Sequence, residues 1–285
     1  MTAGRLAALG LAAALATAGC GHAAGTGHRA PALVVGSRAG VESTLLADIY
    51  AGALRSYGFP ARTEQTPDPL TKLDSGAFVV VPEFTGRVLQ VFQPGTTVRA
   101  DAQVYKAMVG ALPEGIAAGD YTTAAEDKPA LAVAESTSKS WGVGDLGALA
   151  RHCDGIVVGS ISGASTPSAV GGCRLSSGRE FPDDATLFAA VKADEITAAW
   201  TTTADPNVSA DLVVLTDGKP SLVQAENVVP LYRRNELTER ALLAVNEVAG
   251  VLDTAALVDM RRQVTAGADP QAVADGWLSE HPLGR

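Results

Sequence analysis

Residues 79–89, VVVPEFTGRVL, place three valines directly before a proline, an acid, an aromatic ring and a glycine. A short apolar run such as VVV is typical of a buried strand in a parallel sheet. Such strands usually end in simple turns, whereas Glu83 and Phe84 are residues that can contact a ligand. In α/β sheets, ligands bind beyond the carboxyl ends of the strands. The stretch therefore predicts an α/β fold with a binding cleft at the strand ends.

The segments before this stretch alternate between strand and helix patterns. From residue 32 onward they are ALVVG as a strand, VESTLLADIYAGALRSYG as a helix, FPARTEQ as a strand and DPLTKLDSG as a short helix. This order predicts a parallel sheet with helices on its faces. The turn GSRAG, which follows the first strand, is predicted to lie at the same sheet edge as PEFTG.

A second unit of the same kind follows. PALAVAEST is predicted as a strand that runs into a polar loop, DLGALARHC as a helix, GIVVGS and DLVVLTD as strands, and residues 187–203 as a helix followed by a strand. NVVPLYR is predicted to return to the first unit, and three helices to close the chain. Asp269 and Pro270 are predicted to start the last of these helices.

These patterns together predict an α/β fold of two lobes, each with a central sheet, joined by two hinge crossovers. The crossovers are predicted near Ala130 and Asn227. Residues 32–128 and 228–285 are then the first lobe, and residues 129–227 are the second.

The N-terminus has the pattern of an export signal. Residues 1–19 carry one arginine before an uncharged run of Leu, Ala and Gly that is shorter than a membrane-spanning helix. The run ends in a sequence similar to a lipobox, which predicts a lipidated Cys20, although Thr17 stands where such boxes prefer Leu or Val. Residues 20–31 are predicted to be a tether. We therefore expect a lipid anchor at the extracytoplasmic face of the cell membrane, with a secreted or periplasmic protein as the alternative.

Two further cysteines are predicted to form a disulfide. Outside the cytoplasm, an even pair such as Cys153 and Cys173 indicates a disulfide. A metal site is the weaker alternative, because His152 is the one plausible third ligand nearby. The sequence therefore predicts neither a metal nor a cofactor.

Composition and motifs argue against nucleic-acid binding and against enzymatic chemistry. The net charge of −9 offers little basic surface to phosphate backbones. Residues 142–147 match GxGxxG but do not follow a strand directly, so a helix cap by Asp145 is the simpler interpretation. GSISG has isoleucine where a nucleophile elbow needs serine. Because neither His152 nor His281 lies beside a nucleophile motif, the chain is predicted not to be an enzyme.

Three residues near strand ends are candidates for ligand recognition. Phe84 and Trp200 lie at strand ends rather than on helical stripes. Each ring either forms a wall of a cation cage or closes the edge of its own lobe's core. Arg38, in the first turn, either clamps a carboxylate or is a solvated surface charge.

Five segments together resemble a known family. They are GSRAGVESTLLADIYAGALRSYGF, PEFTG, EDKPALAV, WTTTADPNVSADLVVLTD and a C-terminal stretch that ends in DPQAVADGWLSEH. In this order they are similar to the osmoprotectant-type substrate-binding proteins of ABC transporters, which capture glycine betaine, choline, carnitine or related quaternary amines. The resemblance implies a periplasmic-binding-protein-like receptor of two lobes that closes on a small solute and delivers it to a permease. A monomer is expected.

The resemblance also assigns pocket positions in this sequence. Arg38 stands where relatives have lysine or a similar polar residue, which keeps a carboxylate-binding role. Phe84 stands where they have tyrosine, so the ring is kept and the hydroxyl is lost. Asp127 matches the family's aspartate, and Trp200 matches the aromatic residue before a polar pair that begins here with Thr201.

Three other pocket positions depart from the family in their chemistry. Arg87 replaces a threonine of the PEFTG turn, Pro129 replaces a cage tyrosine, and Glu226 stands in place of a further tyrosine. The loss of two rings predicts a ligand more polar or hydroxyl-rich than glycine betaine, or weak binding of betaine-like ligands. The alternatives are a receptor for a polyhydroxylated ligand that is not a quaternary amine, and an interaction lipoprotein without a transport role.

Overall fold

The elements of the fold follow from the computed structural model, which describes residues 31–142, 144–175 and 178–284. The predicted signal peptide, Cys20 and all of the predicted tether except Pro31 lie outside the described residues. The first part of the chain forms β1 (Leu33–Ser37), α1 (Val41–Ser56), β2 (Ala61–Gln65), α2 (Pro69–Asp74), β3 (Val80–Phe84), α3 (Thr85–Phe92), α4 (Asp101–Ala111) and β4 (Ile116–Ala118).

The remaining elements belong to the middle and the end of the chain. The middle forms β5 (Pro129–Ala134), α5 (Glu135–Trp141), α6 (Leu146–Arg151), β6 (Val158–Ile161), β7 (Ala169–Val170), β8 (Cys173–Arg174), β9 (Arg179–Phe181), α7 (Asp184–Lys192), β10 (Ala198–Thr202) and β11 (Leu212–Leu215). The end forms β12 (Val228–Arg233), α8 (Glu239–Val251), α9 (Thr254–Thr265) and α10 (Pro270–Glu280).

Two five-stranded sheets organise these elements. Sheet 1 has the strand order β2-β1-β3-β12-β4, sheet 2 has the order β11-β5-β10-β6-β9, and β7 pairs separately with β8. We call sheet 1 with its helices lobe 1, and sheet 2 with its helices lobe 2. The chain crosses between the sheets twice, in residues 119–128 and 216–227. The predicted α/β class with a central sheet in each lobe is confirmed, while the predicted lobe boundaries stay a prediction.

Both sheets are mixed, which corrects the expectation of a parallel sheet. β1 is parallel to β2 and β3 as predicted, but β12 is antiparallel to β3 and β4. In sheet 2, β5 is antiparallel to β10 and β11. The strands β5 and β12 each follow a crossover, so their direction depends on long connections that a local sequence pattern does not encode.

PEF is part of β3, and the chain turns directly into α3 at Thr85. One local prediction is wrong. The predicted polar loop after β5 is helix α5, which an i,i+4 ion pair between Glu135 and Lys139 supports at 2.8 Å. Gly142, in the left-handed conformation with φ of 73°, ends this helix.

The central strands of sheet 1, β3 and β12, are buried on both faces. Val80 packs in a cluster that includes α1, α8, α9 and α10, whereas its neighbour Val81 packs in a cluster that includes α2, α3 and α4. In β5, Ala132 and Val133 divide in the same way between α7 on one face and α6 on the other. Because adjacent strand residues point to opposite faces, each lobe has a core on both sides of its sheet.

Predicted helix starts agree with the structure. The side chain of Asp269 accepts the Ala272 N–H at 2.9 Å, with Pro270 at the first helical position. Asp145 accepts the Ala148 N–H at 3.1 Å and so caps α6. Across the described residues no single helix is long and apolar enough to cross a membrane, although α8 and α9 taken together meet the length and composition despite a bend of 97° between them.

Candidate ligand-binding site

A cavity of about 400 Å³ between the lobes holds five of the eight predicted ligand-binding residues, and we call it the main cavity. Both lobes contribute to its walls. Its charged and aromatic lining residues are Glu42, Arg87 and Arg261 from lobe 1, Asp127 from the first crossover, and Asp184, Trp200 and Asp205 from lobe 2. Its remaining walls are mainly hydroxyl-bearing or small side chains, among them Pro129, Ser160, Ser165, Thr166, Thr201, Thr202 and Asn207.

A second and larger cavity of about 590 Å³, which we call the side cavity, adjoins the main cavity. The two share Arg87, Asp127 and Pro129, and the side cavity adds Glu226. Six of the eight predicted ligand-binding residues therefore line one continuous cleft, namely Arg87, Asp127, Pro129, Trp200, Thr201 and Glu226.

Two arginines and two acids form a closed charge network at the lobe 1 side of the main cavity. The Arg87 guanidinium lies 2.8 Å from Glu42 Oε2 and 2.8 Å from Asp127 Oδ2. The Arg261 guanidinium lies 3.1 Å from Glu42 Oε1 and 3.3 Å from Asp127 Oδ1. Asp127 also accepts the backbone N–H of Ala204 at 3.2 Å. The network therefore joins α1, α3 and α9 to the first crossover and to the loop after β10.

The two acids of this charge network differ in their proton affinity. Burial, followed by the charge of Asp127 and a shared hydrogen bond, raises the pKa of Glu42 to about 7. Burial also acts to raise the pKa of Asp127, but the hydrogen bond with Glu42 and the charge of Arg261 outweigh it and hold that pKa below its ordinary value. Burial opposes the charge on Arg87, yet Glu42 and Asp127 raise the pKa of this guanidinium. Near neutral pH, Glu42 is therefore protonated in part of the molecules, whereas Asp127 is ionised.

The carboxylate of Glu226, a residue of the second crossover, binds the N-terminal end of α3. Its oxygen Oε2 accepts the backbone N–H of Arg87 at 2.8 Å, and the side chain is largely buried. The Thr85 N–H donates to the Asn227 carbonyl at 3.0 Å. Burial raises the pKa of Glu226 to about 7, although the N–H groups of Arg87 and Gly86 act to lower it. A side chain from the second crossover therefore satisfies helix donors that face the cleft.

Trp200 provides the aromatic surface of the main cavity. It lies on β10, packs with the α6 side of sheet 2 and is 8% exposed. Next to it, the Thr201 hydroxyl donates to Asp205 Oδ2 at 2.7 Å. Most of the indole is thus held by the core of lobe 2, while its free part faces the cavity.

Phe84 and Arg38, the other two predicted site residues, lie outside the cavity lining. Because β3 continues through PEF, Phe84 points into the α1 side of lobe 1 and is 2% exposed. The Arg87 guanidinium lies over its ring at 4.2 Å, so Phe84 supports a cavity residue instead of facing the cavity. Arg38 is engaged elsewhere, because it lies 3.6 Å from Glu83 and donates to the Pro67 carbonyl at 3.3 Å.

The sequence missed the five charged or amide-bearing residues of the main cavity that follow: Glu42, Asp184, Asp205, Asn207 and Arg261. Glu42 and Asp184 are acids in the first turn of a helix, a place where acids are common without any ligand. Asp205 and Asn207 lie within seven positions of Trp200, just after the WTTT segment. This closeness along the chain was the one signal for them in the sequence. Arg261 had no such signal.

The structure pairs Cys153 with Cys173, as the sequence predicts. Both cysteines pack in the α6 side of lobe 2, away from the cleft. Both histidines in the described part of the chain stack on tryptophans. The ring centroids of His152 and Trp141 lie 5.4 Å apart, and those of His281 and Trp277 lie 4.8 Å apart. Within the described part of the chain, no group of three or more His, Cys, Asp or Glu side chains is arranged to hold a metal ion.

The two five-stranded sheets with a cleft between them define a periplasmic-binding-protein-like fold, and solved structures agree. Apo YehZ from Escherichia coli has a TM-score of 0.71 with 20% sequence identity over 89% of this chain and 99% of that protein. A glycine betaine/carnitine/choline ABC transporter protein has a TM-score of 0.74 with 14% identity over 87% and 98%. An ABC-transporter choline-binding protein in complex with choline has a TM-score of 0.52 with 16% identity over 88% and 89%. At these identities the likeness establishes the fold.

The family follows from the sequence match. Residues 31–280 match the family model for the substrate-binding domain of ABC-type glycine betaine transport systems, known as OpuAC. The chain belongs to this family. No curated protein sequence is similar enough to count as a relative.

Family membership fixes the general role of the chain. It is a substrate-binding protein of ABC transport and not an enzyme, because the family binds small solutes and docks to transporter permeases. Members of the family act outside the cytoplasm, which agrees with the export signal that the sequence predicts at the N-terminus.

Proposed function

We propose that the chain captures a small solute more polar than glycine betaine in the main cavity and delivers it to an ABC importer. One observation supports this ligand class above all. Among the described residues that line the main cavity, Trp200 is the single aromatic side chain, whereas six lining side chains are charged. The cavity therefore resembles a hydrogen-bonding site more than an aromatic cage.

The positive end of a betaine is the part of the ligand that this cavity would bind poorly. A quaternary ammonium has no N–H group, so it gains its affinity from several aromatic faces, each contributing about 0.5 to 2 kcal/mol. One partly exposed ring supplies only the smallest part of such a cage. The hydroxyls of Ser160, Thr166 and Thr202, in contrast, offer donors and acceptors to a polar ligand.

Capture is proposed to occur by closure of the lobes rather than by chemistry. The residues of the main cavity come from both lobes, so a bound solute makes its full set of contacts only when the two sides approach each other. Binding then shifts the population towards a closed form. Asp127, which lies in the first crossover and contacts both α3 and α9, is placed where such a movement would pivot.

A ligand panel tests this proposal. Glycine betaine, choline, carnitine, proline and a set of sugars and polyols are titrated while tryptophan emission and melting temperature are recorded. A true ligand is expected to shift the emission and to raise the melting temperature with its concentration. Trp200→Phe serves as the control, because Trp141 and Trp277 also fluoresce and lie outside the main cavity. Tightest binding by glycine betaine would contradict the proposed ligand class, and no response to any solute would favour an interaction lipoprotein.

We further propose that the protein is held at the extracytoplasmic face of the cell membrane through a lipid on Cys20, and that it acts as a monomer. The support is the sequence of the N-terminus, in which an apolar run ends at this cysteine. Labelling of cells with an alkyne analogue of a fatty acid is expected to mark the full chain and to leave Cys20→Ala unmarked. Equal labelling of both would contradict the anchor, and recovery of the unlabelled chain in the medium would indicate a secreted protein.

A further inference from the structure

We infer, on the basis of the proposed function, that the main cavity selects an organic cation that carries N–H donors and lacks a carboxylate. The unneutralised carboxylates lie on the lobe 2 side of the cavity. The groups that would receive a ligand carboxylate lie on the lobe 1 side, where protein carboxylates already occupy them. These two features are independent of each other, because they involve different residues on opposite sides.

The lining of the main cavity is anionic. It has four carboxyl groups, on Glu42, Asp127, Asp184 and Asp205, against two guanidiniums, so the formal excess is two negative charges when Glu42 is ionised and one when Glu42 is protonated. Both guanidiniums, of Arg87 and Arg261, already form ion pairs with Glu42 and Asp127 in the charge network. The excess therefore resides on Asp184 and Asp205.

These two aspartates have no ion-pair partner within the described ranges of the chain. Lys192, at the other end of α7 from Asp184, pairs instead with Asp211 at 3.4 Å. Asp184 and Asp205 are linked through Asn207, whose side-chain amide donates to Asp184 at 2.7 Å and whose backbone N–H donates to Asp205 at 2.8 Å. The structure thus holds two negative charges near each other at the cavity wall without a positive charge to balance them.

The environment of Asp184 agrees with this lack of compensation. Burial and then the charge of Asp205 raise the pKa of its carboxyl. A ligand cation beside both groups would relieve their mutual repulsion and restore part of the lost solvation. Trp200, in the same cavity, offers a ring face to the cation or to the carbon chain next to it.

The carboxylates favour a cation with N–H groups over a quaternary ammonium. Hydrogen bonds between an ionised donor and an ionised acceptor are roughly twice as strong as neutral ones. Only some of the carboxylate acceptor positions are filled by Thr201 and Asn207. Primary ammonium or guanidinium groups can fill the remaining positions, whereas a trimethylammonium group cannot.

The lobe 1 side disfavours a ligand carboxylate. In this fold the free N–H groups of a helix start are natural partners for an anion, but Glu226 already occupies the first turn of α3. Both cavity guanidiniums are likewise engaged by Glu42 and Asp127. Arg38, the remaining candidate clamp, is bound to Glu83 outside the cavity lining. A carboxylate on the ligand would have to displace a protein carboxylate from one of these partners.

Matched pairs of compounds test the inference on the unaltered protein. Agmatine is arginine without its carboxylate, and cadaverine is lysine without its carboxylate. By isothermal titration, at least one of these amines is expected to bind roughly tenfold or more tightly than its amino acid. Cadaverine is likewise expected to bind more tightly than its N-trimethyl derivative. Equal or tighter binding of both amino acids, or of the trimethyl compound, would overturn the inference.

Variants assign the selectivity to the two aspartates. Asp184→Asn and Asp205→Asn are each expected to weaken binding of the amine by roughly tenfold. Asp154→Asn, which alters an exposed acid of lobe 2 outside the cavity lining, is the matched control and should leave the affinity unchanged. An affinity that is the same in all three variants would overturn the role of Asp184 and Asp205.

The outcomes also separate this inference from the proposed function. Failure of both agmatine and cadaverine to bind overturns the cationic ligand class. If a sugar, a polyol or another neutral solute then shifts the Trp200 emission, the protein remains a solute receptor. If no solute does so, the proposed function fails as well.

Discussion

The carboxylate of Glu226 accepts the backbone N–H of Arg87 at 2.8 Å, so a side chain of the second crossover closes the start of α3. The same Arg87 extends its guanidinium over Phe84 and into the charge network with Glu42 and Asp127. One residue therefore connects the hinge, the core of lobe 1 and the ligand cleft. A substitution in the second crossover or in the charge network should therefore alter both the hinge and the cleft.

Glu226→Gln is expected to change how stability depends on pH. The pKa of Glu226 is raised from 4.5 to about 7, so the folded protein holds this proton more tightly than the unfolded chain does. The stabilisation is full below about 4.5 and is lost as the pH rises through about 7. It amounts to roughly 3 kcal/mol at most. Urea unfolding between pH 5 and 8 should therefore show a smaller decrease of stability in Glu226→Gln than in the unaltered protein.

Glu42 needs a separate measurement in this experiment. Its pKa is also raised to about 7, with Asp127, Arg87 and Arg261 around it, so it adds to the decrease in the same pH range. Glu42→Gln together with Glu226→Gln should flatten the dependence further. Glu114→Gln, a change at an exposed position in lobe 1, is the control. An unchanged slope in the double variant would show that other groups dominate.

Asp127→Ala is expected to destabilise the fold strongly. Asp127 is buried, contacts two arginines and accepts the Ala204 N–H. Its removal leaves the Ala204 N–H without an acceptor and leaves both guanidiniums with Glu42 as their one shared carboxylate. Breaking a buried pair in this way costs about 3 to 5 kcal/mol. The free energy of unfolding, measured in urea, should fall by that order.

The matched control removes an exposed ion pair. Glu135→Ala eliminates the contact with Lys139 on α5, where both side chains are mostly exposed. Such a pair contributes at most about 0.5 kcal/mol. If both variants lose the same small amount, the charge network does not stabilise the hinge as described. The loss of stability in Asp127→Asn should lie between the losses in Asp127→Ala and Glu135→Ala, because the asparagine side-chain oxygen can still accept the Ala204 N–H.

Gly86→Ala is expected to disturb the contact between α3 and the second crossover. A Cβ at Gly86 would lie 2.6 Å from the Ala225 carbonyl oxygen and 2.6 Å from Glu226 Oε1. Since one of these atoms is backbone, the structure must shift, at a cost of about 1 to 3 kcal/mol. Gly250→Ala in α8 is the control, because an added Cβ there would meet no atom within 4 Å beyond its chain neighbours and the adjacent helix backbone, and alanine favours a helix by up to about 1 kcal/mol. Gly86→Ala is expected to lower the melting temperature and Gly250→Ala to raise it. A melting temperature that both variants raise would contradict the close approach at Gly86.

The sequence predicts the α/β class and most strands and helices because these elements leave local patterns. The valines of β3 and the apolar face of α1 are examples, since their burial on the sheet follows from periodicity alone. The direction of β12 has no such pattern. It depends on a crossover of many residues that brings the chain back to sheet 1.

The candidate site is predicted only in part for a related reason. Trp200 and Asp127 were found because they stand at strand ends or within motifs of the family. Arg261 and Glu42 meet although 219 positions separate them in the sequence, and each alone looks like an ordinary charge on a helix. Phe84 was expected at the cavity wall, but the continuation of β3 turns its ring into the core.

Loss of the disulfide is expected to lower the stability of lobe 2. Cys153 and Cys173 lie 20 positions apart, and closing a loop of this length stabilises a fold by roughly 3 kcal/mol through the entropy of the unfolded chain. Reduction with dithiothreitol should therefore lower the denaturant midpoint of the unaltered protein. The double variant Cys153→Ser/Cys173→Ser should start at the lower midpoint and should not respond to the reductant. An identical midpoint for oxidised, reduced and double-variant protein would mean that the loop is held by packing around α6 instead of by the covalent bond.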